Sequence, residues 1–358
     1  MQRSFLAAVL AALALGVAAC GSDDEATTAT SGGSDAPAAT AEAPATEATQ
    51  SEEYSGPEAD VPHEYPEPTV EPGTEVTVGW LNPNGTQPGL VAEEQGAKEE
   101  VERLGGRFIS KDGQANVDRQ VSLIDELITQ DVDVIVAYPS DPRALGPQIE
   151  KAKERGIPVI GISTPGTVEA KPLDGFVTNI VQGFDRAAYY NVKAVAEERP
   201  GATFATMGYS IPVPALKYYI DRIVAYGEEF GLEYMGNVDT GPTPQDAATA
   251  MSSILAKYPD VQAVLTLNDV SAQASATVAQ SNGKDILIAG ANGDQSAIDM
   301  IRAGQLFATF SYPWAEIGRQ AIRAAYNAVL EQNLPLPETV AAVGTPVTKE
   351  NAGDVEGV

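Results

Sequence analysis

Residues Val261 to Asp294 read VQAVLTLNDVSAQASATVAQSNGKDILIAGANGD. This stretch predicts an apolar strand ending at Asn268-Asp269, a helix of small residues, a second apolar strand and the polar loop Gly290 to Asp294. In an open parallel α/β sheet, ligands bind at the carboxyl ends of the strands, where the loops present polar groups. The alternative is that Asn268 and Asp269 only cap a helix. Because the same strand, loop and helix pattern recurs along the chain, we favour ligand contact.

The first twenty residues have the pattern of a bacterial secretory leader. Arg3 precedes the apolar run Phe5 to Leu15, which is too short for a comfortable membrane span, and small residues follow it. The run Leu15 to Cys20 resembles a bacterial lipobox, whose cysteine is lipidated and becomes the mature amino terminus. Cys20 is the only cysteine in the sequence, so an internal disulfide is excluded. We predict a signal peptide over residues 1–20 and a lipid on Cys20 that anchors an extracytoplasmic protein to the cell membrane.

Residues 21–74 differ sharply in composition from the rest of the chain. They are rich in Ala, Thr, Ser, Gly and Pro and carry thirteen acidic residues but no lysine or arginine. Such a segment buries too little apolar surface to offset the entropy lost on ordering. We therefore predict a disordered stalk between the anchor and a folded body that begins at Glu75.

The body, residues 75–358, is long enough for two lobes with separate cores. The whole chain has a net charge of −28, and no basic cluster stands out in the body, which argues against a nucleic-acid partner. Strands and helices alternate, and apolar runs such as VIVAY near Val134 and PVIGI near Pro158 are typical of strands covered on both faces of a parallel sheet. The pattern restarts after about half of the body, which favours two α/β lobes over one large sheet.

The residues of the body do not favour catalysis. The only histidine, His63, lies in the predicted stalk, and the body has no cysteine, which excludes cysteine nucleophiles, Ser-His triads and the common zinc sites. The sequence has no P-loop pattern, and no glycine-rich dinucleotide fingerprint follows the first strand. Asp269 and Asp294 together offer a pair of carboxylates for glycoside hydrolysis, but a ligand bond or a helix cap is the simpler reading. We predict no enzyme activity, no cofactor and no metal.

Several short motifs occur in a characteristic order through the body. They are Gln95 to Glu100, Val134 to Pro139, Gly156 to Ile160, Tyr258 to Asp269, Gly290-x-Asn292-Gly293, Ala308-Thr309 and Ile317-Gly318. Together they resemble the periplasmic sugar-binding proteins of ribose type, which feed ABC importers. The resemblance covers Glu75 to about Val347. It implies two doubly wound parallel-sheet lobes of the type I periplasmic binding protein fold, joined by three crossings.

The resemblance also implies where the lobes divide. The crossings fall near Thr178-Asn179, near Ser311-Tyr312 and in the Ala341 region. The first lobe is then residues 75–179 with 312–341, and the second is residues 180–311 with 342–358. In this family the ligand lies between the lobes, and the positions that align with its pocket are Asn82, Pro83, Gln87, Leu90, Tyr138, Ser163, Thr164, Asn268, Asp269, Asn292 and Tyr312.

The chain departs from the family pattern in a consistent chemical direction. Gly89-Leu90 stands where the family has a pair of bulky aromatic residues, and Ser163-Thr164 replaces a frequent Asp-Arg pair. Asn292 replaces a frequent acid. Because charged partners of hydroxyl groups give way to neutral ones, we expect a small neutral sugar or polyol as the ligand.

The function implied is capture of that ligand by hinge closure and its delivery, by a monomeric binding protein, to an ABC permease in the membrane. The alternative is a subunit that senses the ligand for a membrane signalling receptor. The sequence alone does not distinguish the two.

Overall fold

Six parallel strands form the sheet of the first lobe in this computed structural model, which describes residues 54–211, 213–330 and 336–358. In chain order the strands are β1 (Thr77–Asn82), β2 (Arg107–Asp112), β3 (Val134–Ala137), β4 (Val159–Ile162), β5 (Phe176–Val181) and β11 (Thr339–Ala341). They lie in the order β11-β5-β4-β3-β1-β2. Every residue of β3 and β4 is buried, because helices cover both faces of the sheet.

The helices of the first lobe are α1 (Pro88–Arg103), α2 (Val117–Thr129), α3 (Gly146–Glu154) and α9 (Trp314–Val329). Helices α1 and α9 cross at two glycines. A Cβ atom on Gly96 would lie 2.1 Å from the carbonyl oxygen of Ala315, and one on Gly318 would lie 2.0 Å from that of Glu93. Only glycine allows the two backbones to approach so closely, so the last long helix of the chain is fixed against the first.

The second lobe repeats the arrangement with a four-stranded parallel sheet. Its strands are β6 (Thr203–Tyr209), β7 (Glu233–Thr240), β8 (Ala263–Thr266) and β9 (Leu287–Ala289), in the order β7-β6-β8-β9. Its helices are α4 (Phe184–Glu198), α5 (Pro214–Glu229), α6 (Pro244–Lys257), α7 (Asp269–Ser281) and α8 (Gln295–Arg302). Fully buried apolar side chains pack on both faces of the sheet, among them Phe204 on one face and Ile288 on the other. The predicted fold class, two parallel-sheet α/β lobes, is confirmed.

The chain passes between the lobes at three places. It leaves β5 through Gln182 and Gly183, with Gly183 at φ 87°, and enters α4. It returns through Tyr312 and Pro313, between β10 (Thr309–Ser311) and α9. The third crossing joins β11 to β12 (Thr345–Val347), which pairs antiparallel with β10. Thr178 and Asn179 lie inside β5 and are buried, so the first crossing comes a few residues later than the sequence predicts.

The predicted disordered stalk is wrong for its last third. Residues 54–74, here called the strap, pack against both lobes. Tyr54 is 6% exposed and Tyr65 is 3% exposed, and each inserts its ring into the folded body. The composition of the segment as a whole hides these two aromatic anchors, whose burial contributes to offsetting the cost of ordering the chain. Residues 21–53, the rest of the predicted stalk, and the predicted leader with Cys20 lie outside the described residues.

The strap contacts the second lobe, the crossings and the first lobe in turn. Glu58 accepts hydrogen bonds from the backbone N–H groups of Asp185 (2.9 Å) and Arg186 (3.0 Å), in the first turn of α4. The carbonyl oxygen of Pro62 accepts one from the N–H of Ala341, at the end of β11. Tyr65 then donates its N–H to Oε1 of Gln320 on α9, at 2.7 Å. The strap therefore joins the two lobes across the crossings.

None of the helices in the described residues combines the length and apolar character needed to span a membrane. Nor does this part of the chain bring three or more His, Cys, Asp or Glu side chains together in a way that suits a metal ion.

Candidate functional site

The candidate site lies at the carboxyl ends of the first lobe's strands. Because parallel strands end at the same edge of a sheet, Asn82 at the end of β1, Tyr138 after β3, Ser163 after β4 and Gln182 after β5 meet along one rim. The rim faces the second lobe, since Gln182 belongs to the crossing that leads into it. Part of the predicted set of site residues is thus brought together here.

Asn82 uses its amide to shape the loop that follows β1. Its Nδ2 donates to the carbonyl oxygen of Leu90 (3.2 Å) and to Oε2 of Glu94 (2.7 Å), while its Oδ1 accepts from the N–H of Asn84 (2.9 Å). The side chain is 1% exposed. Asn82 therefore positions the loop, and its bonding capacity is already filled by its own neighbours.

The other loop residues differ in exposure. Pro83 is half-buried, and its carbonyl oxygen accepts from the N–H of Ala115. Gln87 is exposed at the N-cap of α1, where its side chain makes no capping bond. Leu90 is 7% exposed and belongs to the core that the two lobes share.

Trp314 occupies the space that Gly89 leaves open. A Cβ atom on Gly89 would lie 2.3 Å from Cε2 of the Trp314 indole, so the ring sits directly against the first turn of α1. Its Nε1 donates to the carbonyl oxygen of Asn292 in the second lobe, at 2.7 Å. Although Gly89-Leu90 replaces a pair of bulky aromatic residues, an aromatic ring therefore still lies at this position, and it comes from another part of the chain.

Five polar side chains form what we call the hinge-side cluster: Glu93, Tyr138, Ser163, Gln182 and Tyr312. The hydroxyl of Tyr138 donates to Oε1 of Gln182 at 2.9 Å. All except the half-buried Tyr138 are at most 5% exposed. Oε2 of Glu93, Oγ of Ser163, Nε2 of Gln182 and the hydroxyl of Tyr312 complete no hydrogen bond of normal geometry within the described residues. Buried polar atoms are nearly always paired in folded proteins, so this group marks the site.

The backbone bends sharply where β4 ends. Ser163 has φ 54°, a left-handed conformation that is costly for serine. The next residue is held by Asn179, whose Oδ1 accepts from both the N–H and the hydroxyl of Thr164, each at 2.9 Å. Thr164 is fully buried. The bend turns Ser163 toward Tyr138, while Thr164 anchors the loop.

The loop after β4 reaches across to the second lobe. A Cβ atom on Gly166 would lie 2.5 Å from the Cα of Ala215, at the start of α5, and Oε2 of Glu169 lies 3.4 Å from the hydroxyl of Tyr218. The lobes therefore touch on this side of the rim, as they do at Trp314.

In the second lobe, the two residues singled out from the sequence have roles in the fold. Asn268 caps α7 through its Oδ1, which accepts from the N–H of Ser271 at 2.9 Å. Asp269 is fully buried and accepts from the N–H groups of Gly293 and Asp294 and from the hydroxyl of Thr309. It therefore holds the loop that carries Asn292. The capping role, one of the two readings left open, is present in the structure.

The electrostatics of Asp269 follow from its burial. Burial raises the pKa of the Asp269 carboxyl, and the neighbouring Asp294 carboxylate raises it further, while the bonds from Thr309 and the backbone oppose the change. Burial also raises the pKa of Asp294. The pair lies beneath the surface of the rim, with Asp294 only 5% exposed.

Asn292 and Tyr312 lie where the second crossing meets the rim. Asn292 has φ 132° and is half-buried. The ring of Tyr312 packs edge-on against Phe184, Phe310 and Trp314, at centroid distances of 5.7, 5.4 and 5.5 Å. Tyr312 and Trp314 together place an aromatic surface next to the hinge-side cluster.

Two members of the cluster, Glu93 and Gln182, were missed in the sequence analysis. A signal for Glu93 existed, because the buried positions of α1 recur at helical spacing as Leu90, Glu93, Ala97, Glu100 and Val101. An acidic residue on the apolar side of a helix is unusual and needs a partner or a function. Gln182 gave no comparable signal, since the crossing was expected a few residues earlier.

The comparison with known proteins agrees with this geometry. The sequence profile of the family described as "Periplasmic binding protein domain" matches residues 78–333. The chain belongs to this family. Its members are transport proteins that bind solutes outside the cytoplasm, and the predicted resemblance is confirmed.

Curated members of the family cover most of the chain. The ribose import binding protein of Bacillus subtilis (strain 168) is 27% identical over 254 residues, which are 70% of this chain and 81% of the relative. The D-apiose import binding protein of Paraburkholderia graminis is 24% identical over 283 residues, 78% of this chain and 89% of the relative.

Solved structures of the family share the fold. An ABC transporter solute-binding protein from Mycobacterium smegmatis with bound glycerol superposes with a TM-score of 0.71 at 23% identity, covering 80% of this chain and 98% of that one. One from Bacillus halodurans C-125 with bound myo-inositol gives a TM-score of 0.69 at 20% identity, with the same coverage.

Proposed function

We propose that this periplasmic binding protein captures a small neutral sugar or polyol between its lobes and delivers it to an ABC permease. The relatives named above are import binding proteins for ribose and D-apiose, and the similar structures hold glycerol and myo-inositol. The observation that carries the proposal is the rim itself, where Tyr138 lies beside Ser163 and near Tyr312, and the ring of Tyr312 packs against that of Trp314. Apolar ring faces beside a few placed polar groups suit a hydroxylated ligand.

The mechanism that we infer is closure about the three crossings. Contacts across the rim, such as Gly166 against Ala215, join the two lobes in this structure. A ligand that binds both rims favours this closed arrangement by its difference in affinity for the closed and open forms. The permease then recognises the closed form. We retain the eleven residues predicted from the sequence as candidate site residues, a set that does not include Glu93 and Gln182. Asn82, Asn268 and Asp269 contribute to the site by shaping the rim.

We also propose that the protein is a lipoprotein. The support is the leader pattern ending at Cys20, with two or more acyl chains giving stable attachment to a membrane. Residues 21–53 then connect the anchor to the strap. The body works as a monomer whose partners are the ligand and the permease.

A thermal-shift screen tests the ligand class. The full chain, purified in detergent, is heated with D-ribose, D-apiose, D-allose, myo-inositol, glycerol, D-gluconate and L-glutamate. A ligand at one hundred times its dissociation constant adds about 2.7 kcal/mol of stability, which corresponds to a rise of several degrees. We expect the rise with at least one neutral sugar or polyol. Stabilisation by the two anions alone would contradict the proposal.

A further inference from the structure

Helix α1 carries two buried glutamates, and only one of them is accounted for by its neighbours. Glu100, 2% exposed, lies 2.7 Å from Nη2 of Arg103 and 2.9 Å from Nε of Arg323. Burial raises its pKa, but the two arginines outweigh burial and hold the pKa below the usual value. Glu100 is therefore an ionised, paired carboxylate that connects α1 to α9.

Glu93, two turns earlier and 1% exposed, has a different environment. Within the described residues it forms no ion pair, and its Oε2 completes no hydrogen bond of normal geometry. Burial raises the pKa of Glu93 well above its usual range, the nearby Glu94 adds to the rise, and the Gln182 amide opposes it. The raised pKa favours the protonated carboxyl, which both donates and accepts hydrogen bonds.

The surroundings of Glu93 place it in the candidate site. Gln182, which faces it, belongs to the first crossing between the lobes, and the Gln182 Oε1 accepts from Tyr138 on the rim. Nε2 of Gln182 faces the Glu93 carboxyl but completes no hydrogen bond of normal geometry among the described residues, and neither does the hydroxyl of Tyr312 on the second crossing. An unpaired buried polar group costs free energy that a ligand hydroxyl can recover.

We propose that Glu93 and Gln182 bind adjacent hydroxyl groups of the ligand at the hinge end of the cleft. Oε2 of Glu93 and Nε2 of Gln182 supply an acceptor and a donor side by side, a pair that matches a vicinal diol. The position selects for uncharged ligands. A protonated Glu93 carboxyl carries no charge that would attract a cation, and an ionised Glu93 carboxylate in this buried place would repel an anion. This inference rests on the proposed function and names residues that carry its specificity.

The test combines calorimetric titration with thermal denaturation of the full chain. The titrant is whichever of D-ribose, D-apiose, D-allose, myo-inositol and glycerol most stabilises the unmodified protein. Glu93→Leu removes both hydrogen-bonding functions in a side chain of similar size, whereas Glu93→Gln keeps a donor and an acceptor without a proton to lose. Glu102→Leu is the control on the same helix, because the Glu102 side chain is 63% exposed.

A binding role and a structural role for Glu93 predict opposite results. If Glu93 binds ligand, Glu93→Leu weakens affinity by about tenfold or more, while the melting temperature without ligand stays the same or rises, since a buried unpaired group is gone. Glu93→Gln then stays within about threefold of the unmodified protein, and Glu102→Leu matches it. Gln182→Met is the second variant and loses affinity in the same way.

Three results overturn the inference. The first is a Glu93→Leu protein that melts at lower temperature but binds as tightly as the unmodified protein, which makes Glu93 structural. The second is an equal loss of affinity in Glu93→Gln and Glu93→Leu, which requires an ionised carboxylate. In both cases the unmodified protein binds the titrant, so the proposed function survives. The third, no binding of any titrant by the unmodified protein, rejects the proposed function and this inference together.

Discussion

Replacing Glu58 by glutamine changes how the stability of the protein depends on pH. Glu58 is 1% exposed, and its carboxylate accepts bonds from the N–H groups of Asp185 and Arg186. Burial raises its pKa from 4.5 to about 7, against the opposing effect of those two bonds, and the Asp185 carboxylate adds to the rise. The folded protein thus holds this proton more tightly than the unfolded chain does. Its contribution to stability is fully present below pH 4.5 and is lost as the pH rises through about 7.

The size of the effect follows from linkage. Between about pH 8.5 and about pH 5.5, a carboxyl whose pKa rises from 4.5 to about 7 on folding adds roughly 2 kcal/mol to the free energy of unfolding. For a protein of this size, that corresponds to a rise in melting temperature of roughly 3 °C. Glutamine does not titrate, so the Glu58→Gln protein lacks this increment.

Urea denaturation followed by circular dichroism at both pH values measures the increment. Asp269, Asp294 and Glu93 also have raised pKa values, but they titrate equally in both proteins and cancel in the difference. Glu71→Gln serves as the control, because Glu71 lies in the same strap but is exposed. Equal gains on acidification in the unmodified and Glu58→Gln proteins would refute a buried Glu58 in the strap.

Three further predictions concern the strap and the rim. Deleting residues 54–74 removes the buried Tyr54 and Tyr65. We expect the free energy of unfolding, measured by urea denaturation, to fall by roughly 3 kcal/mol or more. An unchanged midpoint would mean that the strap is not bound. Asp269→Ala leaves the Thr309 hydroxyl and two N–H groups unpaired and should cost about 3 kcal/mol, whereas a variant of normal stability with weakened ligand binding would instead make Asp269 a direct contact. Gly89→Val drives a methyl-bearing carbon into the indole 2.3 Å away and should lower stability by about 1–3 kcal/mol; a melting temperature equal to that of the unmodified protein would show that the ring moves aside freely.

Much of the fold is predictable from the sequence because local and long-range signals agree. Apolar runs such as that from Val134 to Ala137 match strands buried on both faces, and the helices follow their apolar periodicity. The sequence is a poorer guide to strand boundaries where contacts between distant parts of the chain determine which residues pair. The short strand Thr309–Ser311 is an example, because its partner β12 arrives from the end of the chain.

The strap shows why composition is a poor guide to a boundary. A window rich in acidic, Ala, Thr and Pro residues predicts disorder, yet the strap is ordered because two tyrosine rings enter cavities of the body and Glu58 and Pro62 bond to it. Tyr65 joins the main core, and its hydroxyl lies 2.7 Å from Oγ1 of Thr178. No property of the strap itself reveals those cavities, since they are made by residues more than a hundred positions away.

The residues of the rim are likewise only partly predictable from the sequence. Parallel strands place their following residues on one edge, so Tyr138 and Ser163 are found from the sequence. Whether a polar residue there faces a ligand or its own neighbours depends on loop geometry, as the filled bonding capacity of Asn82 shows. The role of Trp314 depends on the absence of a side chain at Gly89, far away in the sequence.

The contact between Trp314 and the second lobe gives the protein an optical signal of its own. The chain contains only two tryptophans, and Trp80 is 1% exposed, beside Phe108. The indole of Trp314 donates to the carbonyl oxygen of Asn292 at the second crossing, so the proposed movement of the lobes would change the surroundings of this ring. We therefore expect tryptophan emission to follow the proposed opening and closing, which stopped flow would measure without any attached dye.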